Sequence, residues 1–294
     1  MCIMNNCIFL KIALYCLFFP VAAVAKPFVT VDIRYELGNQ MFQIAATVAC
    51  ALDNDYDTYF PDLQRCSYWG IPENYKHVFF RLNARMPPSE AAYVYKDGGG
   101  VFPIPARPNM RMEGFFQSEK YFAHHKEKIL QLFAPSHDIL DYLHLKYENI
   151  LSHPCTVALH VRTYIKDYGH LPTKDELHSF AGVEYYKKAV ALFPQDALFV
   201  VCSDDIKWCK ENLTGIAPHM VFIENNKYYH DFYLMTLCHH VITANSTFSW
   251  WAAYLNRHEN KKIVTLDNWF GIWWAGNTNN IVPKDWIRLS RGDT

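Results

Sequence analysis

The stretch VITANSTFSWWAAYL, residues 241–255, reads as a strand, a polar break and a helix in direct succession. Val241 to Ala244 is short and apolar, Asn245-Ser246-Thr247 interrupts it, and Phe248 to Leu255 resumes as an apolar helix. A strand that feeds straight into a helix is the half-unit of an α/β chain. In such chains ligands collect beyond the carboxyl ends of the strands.

The same grammar recurs on either side of this stretch. Leu198 to Cys202 (LFVVC) is a strand followed by Ser203-Asp204-Asp205 and a short helix closed near Gly215. Thr156 to Val161 (TVALHV) is a strand that ends at Arg162, and Tyr185 to Leu192 has helical character. Met220 to Ile223 and Ile263 to Leu266 are further strands. Near the start, Phe28 to Ile33 (FVTVDI) is a strand, and apolar residues at 41, 44, 45, 48 and 52 predict a buried helix. Residues 61–111 read as irregular, and Ser118 to Phe133 as a helix. The expectation is an α/β fold with mostly parallel sheets. Polar clusters mark its strand ends: Gly38-Asn39-Gln40, His160-Val161-Arg162, Ser203-Asp204-Asp205 and Asn245-Ser246-Thr247.

Each cluster has a chemistry and a plainer alternative. At Asn245-Ser246-Thr247, free N–H groups and the helix dipole favour an anion, while Ser246 or Thr247 could instead cap the helix. Arg162 after an apolar strand suits a diphosphate through its planar fork, or a buried pair with a carboxylate. His160 is a base or a satisfied core histidine. Asp204 can accept from a ribose hydroxyl or a purine N–H edge, or one of Asp204 and Asp205 caps the next helix. Gly38 permits a tight turn before the helix. Asn245-Ser246-Thr247 and Asn212-Leu213-Thr214 are both N-glycosylation sequons. Asn245 lies between apolar runs and is expected to be buried, which leaves Asn212 as the acceptor candidate.

Composition narrows the classes. The chain has 294 residues, 51% hydrophobic and 16% aromatic, with a formal net charge of −1. That is enough for a large core and lacks the basic balance of a sequence-independent nucleic-acid binder. Asp53-Asn54-Asp55 and Asp55-Tyr56-Asp57 match a D-x-D pattern that holds divalent ions, but they follow a helix, where a solvated turn is the ordinary expectation. His124-His125 and His239-His240 lack ligand spacing, and no H-E-x-x-H or G-x-S-x-G occurs. The nine cysteines show no C-x-x-C spacing. Outside Cys2, Cys7 and Cys16 their even number permits disulfides, with Cys50, Cys202 and Cys238 expected as core residues.

Ile12 to Ala25 follows Lys11, is apolar and ends in Ala23-Val24-Ala25. Residues 1–25 therefore read as a signal peptide, with an uncleaved signal anchor as the alternative. The terminal Arg291-Gly292-Asp293 is a short match expected by chance.

Taken together, LGNQMFQ (37–43), EGFFQSEKYF (113–122), His160-Val161-Arg162, Ser203-Asp204-Asp205-Ile206 with Trp208-Cys209, NSTFSWWA (245–252) and PKDWI (283–287) resemble the α-1,2-fucosyltransferase family, glycosyltransferase family 11. The resemblance implies a GT-B-like fold, two Rossmann-like halves facing a nucleotide-sugar cleft. It makes residues 26–150 the acceptor side and 151–294 the GDP-fucose side. It implies inverting transfer of L-fucose to the 2-hydroxyl of a β-galactoside, with no metal or other cofactor. It puts His160, Arg162, Asp204, Asn245, Ser246 and Thr247 at the donor, and Asn39 and Gln40 at the cleft on the acceptor side. Asp167 is the nearest motif-linked candidate for a general base beside Arg162. The implied partners are GDP-fucose and a galactoside-terminated glycan, without nucleic acid, and with membrane contact only through residues 1–25 if uncleaved.

One departure stands out: the family's second Arg after H-x-R is Thr163 here, and Lys166 is a candidate to restore the charge. It keeps open a catalytically inactive glycan- or GDP-binding protein, as well as a fucosyltransferase with another acceptor. The leader favours the secretory pathway, in the ER or Golgi lumen or membrane. The alternative is a bacterial inner-membrane anchor with the domain facing the cytoplasm.

Overall fold

A computed structural model describes residues 25–271 and 278–291. The expected leader, apart from Ala25, and Gly292-Asp293 lie outside the described residues. The first half runs β1 (Phe28–Val31), α1 (Leu37–Asn54), β2 (Asp57–Tyr59), α2 (Asp62–Arg65), α3 (Ile71–His77), β3 (Tyr93–Lys96) and β4 (Met110–Glu113). Two 3₁₀ turns, Glu119–Tyr121 and Ala123–His125, then lead to α4 (Lys126–Leu132) and α5 (His137–Leu151). The second half runs β5 (Thr156–Val161), α6 (Ile165–Tyr168), α7 (Val183–Val190), β6 (Leu198–Ser203), α8 (Ile206–Leu213), β7 (Met220–Phe222) and α9 (Tyr228–Leu237). It closes with β8 (His240–Ile242), α10 (Thr247–Leu255), β9 (Ile263–Leu266), α11 (Thr278–Ile281) and β10 (Ile287–Leu289).

Each half holds one sheet, and every strand pair is parallel. The first sheet has the order β2-β1-β4-β3, and the second β10-β9-β8-β5-β6-β7. In the second sheet β5 is central, fully buried, and pairs β6 from Thr156↔Leu198 to Val161↔Ser203. Its apolar run is that of a strand covered on both faces. The crossover at β5, with β6 on one side and β8 on the other, is a topological switch point, where a crevice opens at the strand ends.

The halves share one core through the Trp250-Trp251 pair, both fully buried. Phe42 of α1 lies 4.5 Å from the Trp250 ring and 5.0 Å from Trp251. The Trp251 indole donates to Gly38 O at 3.0 Å, and that of Trp250 to Ile281 O at 2.7 Å. Burying two indoles is tolerable because each N–H meets a carbonyl.

Several expectations are corrected. Helix α1 starts at Leu37, not Met41, so Gly38 lies in its first turn rather than in a tight turn. Residues 61–111 are irregular over most of their length but not throughout, since they supply α2, α3, β3 and the first half of β4. In β4 Met110 and Met112 are buried while Arg111 is exposed, an alternation too short to stand out in the sequence. The expected helix 118–133 is α-helical only from Lys126; Ser118 caps a 3₁₀ turn by accepting from Lys120 N. Helix α9 is buried on most sides, so it carries no periodic signature. The cysteines at 50, 66, 155, 202, 209 and 238 are all free; Cys50, Cys202, Cys209 and Cys238 are buried.

Candidate active site

The ends of β5, β6 and β8, with the first turns of α1 and α9, surround a cleft of about 640 Å³. Its walls include Asn39, His160, Arg162, Asp167, Asp204, Asp231 and Asn245-Ser246-Thr247.

Arg162 follows the last residue of β5 and is only partly exposed. Its Nη2 donates to Asp167 Oδ2 at 2.6 Å, and its Nη1 lies 3.3 Å from Asp204 Oδ2. The guanidinium also sits 4.9 Å from the centre of the Tyr164 ring. Of the two alternatives for Arg162, carboxylate pairing is realised, but at a cleft wall where an anion can replace the exposed partner, Asp167.

Asp204 faces the turn after β5. Its Oδ1 accepts from Thr163 N at 2.8 Å, and its Oδ2 from Thr163 Oγ1 at 3.0 Å and Tyr164 N at 3.2 Å. Both oxygens are thus engaged by the 162–164 segment rather than left for a nucleoside, and Asp205 is the cap of α8, accepting from Trp208 N. Thr163 is fully buried, so it is the anchor of this turn and not a truncated cation. Lys166 is exposed and does not line the cleft, so it does not restore the missing charge there. Tyr164 has a left-handed backbone, φ 59°. Its hydroxyl donates to Asn245 O at 2.6 Å and its ring stacks on His178.

His160 is 5% exposed and its Nδ1 is without a partner among the described residues. Burial pushes its pKa down and the Arg162 charge adds to that, against the pull of Asp204, so the ring is neutral at pH 7. Phe248 packs 5.5 Å from it.

Helix α10 begins at Thr247 with Ser246 as an extended N-cap residue, and no side chain caps it. Capping by the Ser246 or Thr247 hydroxyl is therefore not what these residues do. The uncapped first-turn N–H groups and the helix dipole present a partial positive charge to the cleft. Asn245 is buried, and its Nδ2 donates to Ser179 O at 2.7 Å, so that sequon is inaccessible. Asn212 is exposed on α8.

On the opposite wall Asn39 lines the cleft, and its Oδ1 accepts from Gln117 Nε2 at 2.6 Å. Gln40 does not line it. It is fully buried: its Nε2 donates to Tyr35 O and Trp69 O, and its Oε1 accepts from Asn74 Nδ2 at 2.7 Å. A helix turns by 100° per residue, so adjacent amides face different ways. Gly38 is needed for close approach, because a β-carbon there would lie 2.6 Å from Thr247 Cβ.

Asp231, on the first turn of α9, has no counterpart among the sequence-predicted residues. It lines the cleft, accepts from Asn226 Nδ2 at 2.7 Å, and is pushed up to about 6 by burial against that hydrogen bond. The acid within YYHDFYLM stands out only once α9 is known to be buried. Tyr164, His178 and Gln117 were also missed. The D-x-D acids lie elsewhere: Asp53 is in the last turn of α1, about 21 Å along the helix from Asn39, and meets His124 and His125.

Residues 95–289 match Glycosyl transferase family 11. The chain is 33% identical over 185 residues to the O-antigen biosynthesis glycosyltransferase WbnK of Escherichia coli, covering 60% of this chain and 59% of that one. It is 30% identical over 184 residues to an alpha-1,2-colitosyltransferase of Escherichia coli, covering 60% and 62%. To the galactoside 2-alpha-L-fucosyltransferase SEC1 of Bos taurus it is 26% identical over 247 residues, covering 77% and 64%. The matches thus span about three fifths of the length of these relatives. Among solved structures, NodZ alpha-1,6-fucosyltransferase co-crystallized with GDP superposes with a TM-score of 0.52 at 14% identity, covering 83% of this chain and 96% of that one. That likeness concerns the fold, which is GT-B: two parallel α/β halves with a cleft between them. On the match over residues 95–289, the chain belongs to glycosyl transferase family 11.

Proposed function

We propose that the chain transfers L-fucose from GDP-fucose to the 2-hydroxyl of a β-galactoside with inversion, and needs no metal to do so. The observation that carries this reading is the meeting of Arg162 with the uncapped start of α10 in one cleft wall. Together they offer a guanidinium fork, free N–H groups and the Ser246 and Thr247 hydroxyls to a diphosphate. As the anomeric bond breaks, charge grows on the GDP oxygens, and these donors stabilise it.

The nucleoside is assigned to Asp231 and His160. Guanine presents an N1–H and an N2–H₂ side by side, which a carboxylate matches and a purine without those donors does not. Asp204 acts indirectly, holding Arg162 and the 163–164 turn. When a diphosphate takes the fork, the exposed Asp167 is released from Arg162. The freed carboxylate, at the cleft wall, is the group to accept the proton of the attacking 2-hydroxyl.

The relatives named above support both the sugar and the linkage, since one is a galactoside 2-alpha-L-fucosyltransferase. A second reading keeps the site and changes the donor to the 3-deoxy analogue of fucose, colitose, as the name of another relative suggests. Paired assays with the two GDP-sugars on one β-galactoside, read by mass spectrometry, separate them. Transfer of neither sugar would reject both. The relatives include enzymes of Escherichia coli and Bos taurus. In the animal setting we place the domain in the Golgi lumen and in the bacterial one in the cytoplasm, where GDP-sugar is supplied. Among the described residues no helix is long and apolar enough to cross a membrane.

A further inference from the structure

We propose that Tyr35, Trp69 and Phe115 form a platform that binds the sugars of an acceptor glycan beyond the reacting galactoside. The proposal rests on reading the cleft as a glycosyl-transfer site and adds to it a preference for extended oligosaccharides.

Tyr35 stacks on Phe115 and lies tilted against Trp69, and all three rings are open to solvent. Tyr35 lies 5.0 Å from Phe115 at 24° and 5.6 Å from Trp69 at 31°. Their exposures are 45%, 42% and 41% for Tyr35, Phe115 and Trp69. Trp69 also lines the cleft, so the stack continues outward from it. Tyr68, 72% exposed, stands beside Trp69.

The stack is held from below by two buried amides. Gln40 donates to Tyr35 O and Trp69 O with one nitrogen. Gln43, 1% exposed, accepts from Arg34 N at 3.0 Å and donates to Gly114 O at 3.0 Å, the residues next to Tyr35 and Phe115. Asp97 completes the clamp by accepting from Phe116 N at 2.9 Å. Tyr35, Trp69 and Phe116 all adopt left-handed backbones, with φ of 66°, 54° and 51°. Backbone strain of this kind persists where the surroundings over-determine it and gathers at ligand clamps. Here buried hydrogen-bonding capacity is spent on fixing the backbone beneath three exposed rings.

The chemistry favours a carbohydrate. A pyranose has an apolar C–H face that packs on an aromatic ring and hydroxyls that need polar neighbours at the edge. Arg34 and Glu36 flank Tyr35, and Glu36 lines the cleft.

The test titrates the full chain with a mono-, di-, tri- and tetrasaccharide series ending in β-galactose, using saturation-transfer NMR and calorimetry. The native chain should bind the trisaccharide about tenfold more tightly than the monosaccharide, the worth of one aromatic stacking contact. Phe115→Leu keeps apolar bulk at an exposed position and removes the ring face. It should lose that gain while GDP, titrated on the same sample, binds as before. A native chain without length dependence, or a gain that survives Phe115→Leu, overturns the platform. Length dependence in a chain that fails to bind GDP would remove the donor reading and leave the platform standing.

Discussion

Gly38 at the start of α1 and Thr247 at the start of α10 touch so closely that a β-carbon on Gly38 would lie 2.6 Å from Thr247 Cβ. The carbonyl of the same glycine accepts from the Trp251 indole at 3.0 Å. One residue without a side chain thus sets the distance between the first half and the uncapped helix start to which we assign the diphosphate.

Gly38→Ala should therefore destabilise the protein and damage the donor site together. Alanine gains roughly 1 kcal/mol of helix propensity over glycine. Overpacking against a backbone that cannot give way costs about 3 kcal/mol, so the clash wins. Urea unfolding should show the midpoint falling, and calorimetry should show weaker GDP binding. A midpoint that rises would mean the helix starts can separate freely.

Arg162→Ala should lower turnover by about 10²- to 10³-fold, the range for losing a donor aimed at developing charge. Arg162→Lys should recover little of this, because one ammonium cannot bridge Asp204 and a diphosphate as the fork does. Steady-state rates of the two variants check both statements.

Thr163→Val removes the hydroxyl that donates to Asp204 Oδ2 at 3.0 Å while keeping the shape of the buried side chain. The loss should be about 1–2 kcal/mol of stability, with weaker donor binding as the Arg162 turn loosens. Denaturant unfolding and GDP titration read the two effects separately.

Nucleoside binding should depend on pH through Asp231. Its carboxyl is pushed up to about 6, so it is ionised at pH 7 and takes up a proton as pH falls below that value. If the carboxylate is the acceptor for guanine, affinity should fall by about tenfold per pH unit below the midpoint. Guanosine is the suitable probe, since it carries no phosphate to titrate. Asp231→Asn should weaken binding at pH 7 and abolish the pH step. The apo fold responds the other way: a carboxyl raised above its unfolded value favours folding in its protonated form, so this group's penalty appears as pH rises towards 6.

The sequence was informative where one strand and one helix decide a position. The runs TVALHV, LFVVC and VITA became β5, β6 and part of β8, and their polar ends do meet in one cleft. It failed where the signal is tertiary. Asn39 and Gln40 look alike in the chain, but helix geometry turns one to the cleft and buries the other. Asp204 looked free because its partners, Thr163 and Tyr164, come from another strand end. Asp231 was silent because a helix buried on most sides shows no period. Residues 61–111 read as irregular because short, half-exposed strands and turns carry little pattern.

If Arg162 and the start of α10 stand in place of a metal, the cleft moves a GDP-linked fucose without any divalent ion. The most direct measurement incubates the chain with GDP-fucose and a β-galactoside in EDTA and follows the acceptor by mass spectrometry. The acceptor should gain one deoxyhexosyl group, linked at the 2-hydroxyl, and Arg162→Ala should nearly abolish the gain. No product in EDTA with recovery on added manganese, or product formed equally well by Arg162→Ala, would contradict this role of Arg162 and α10.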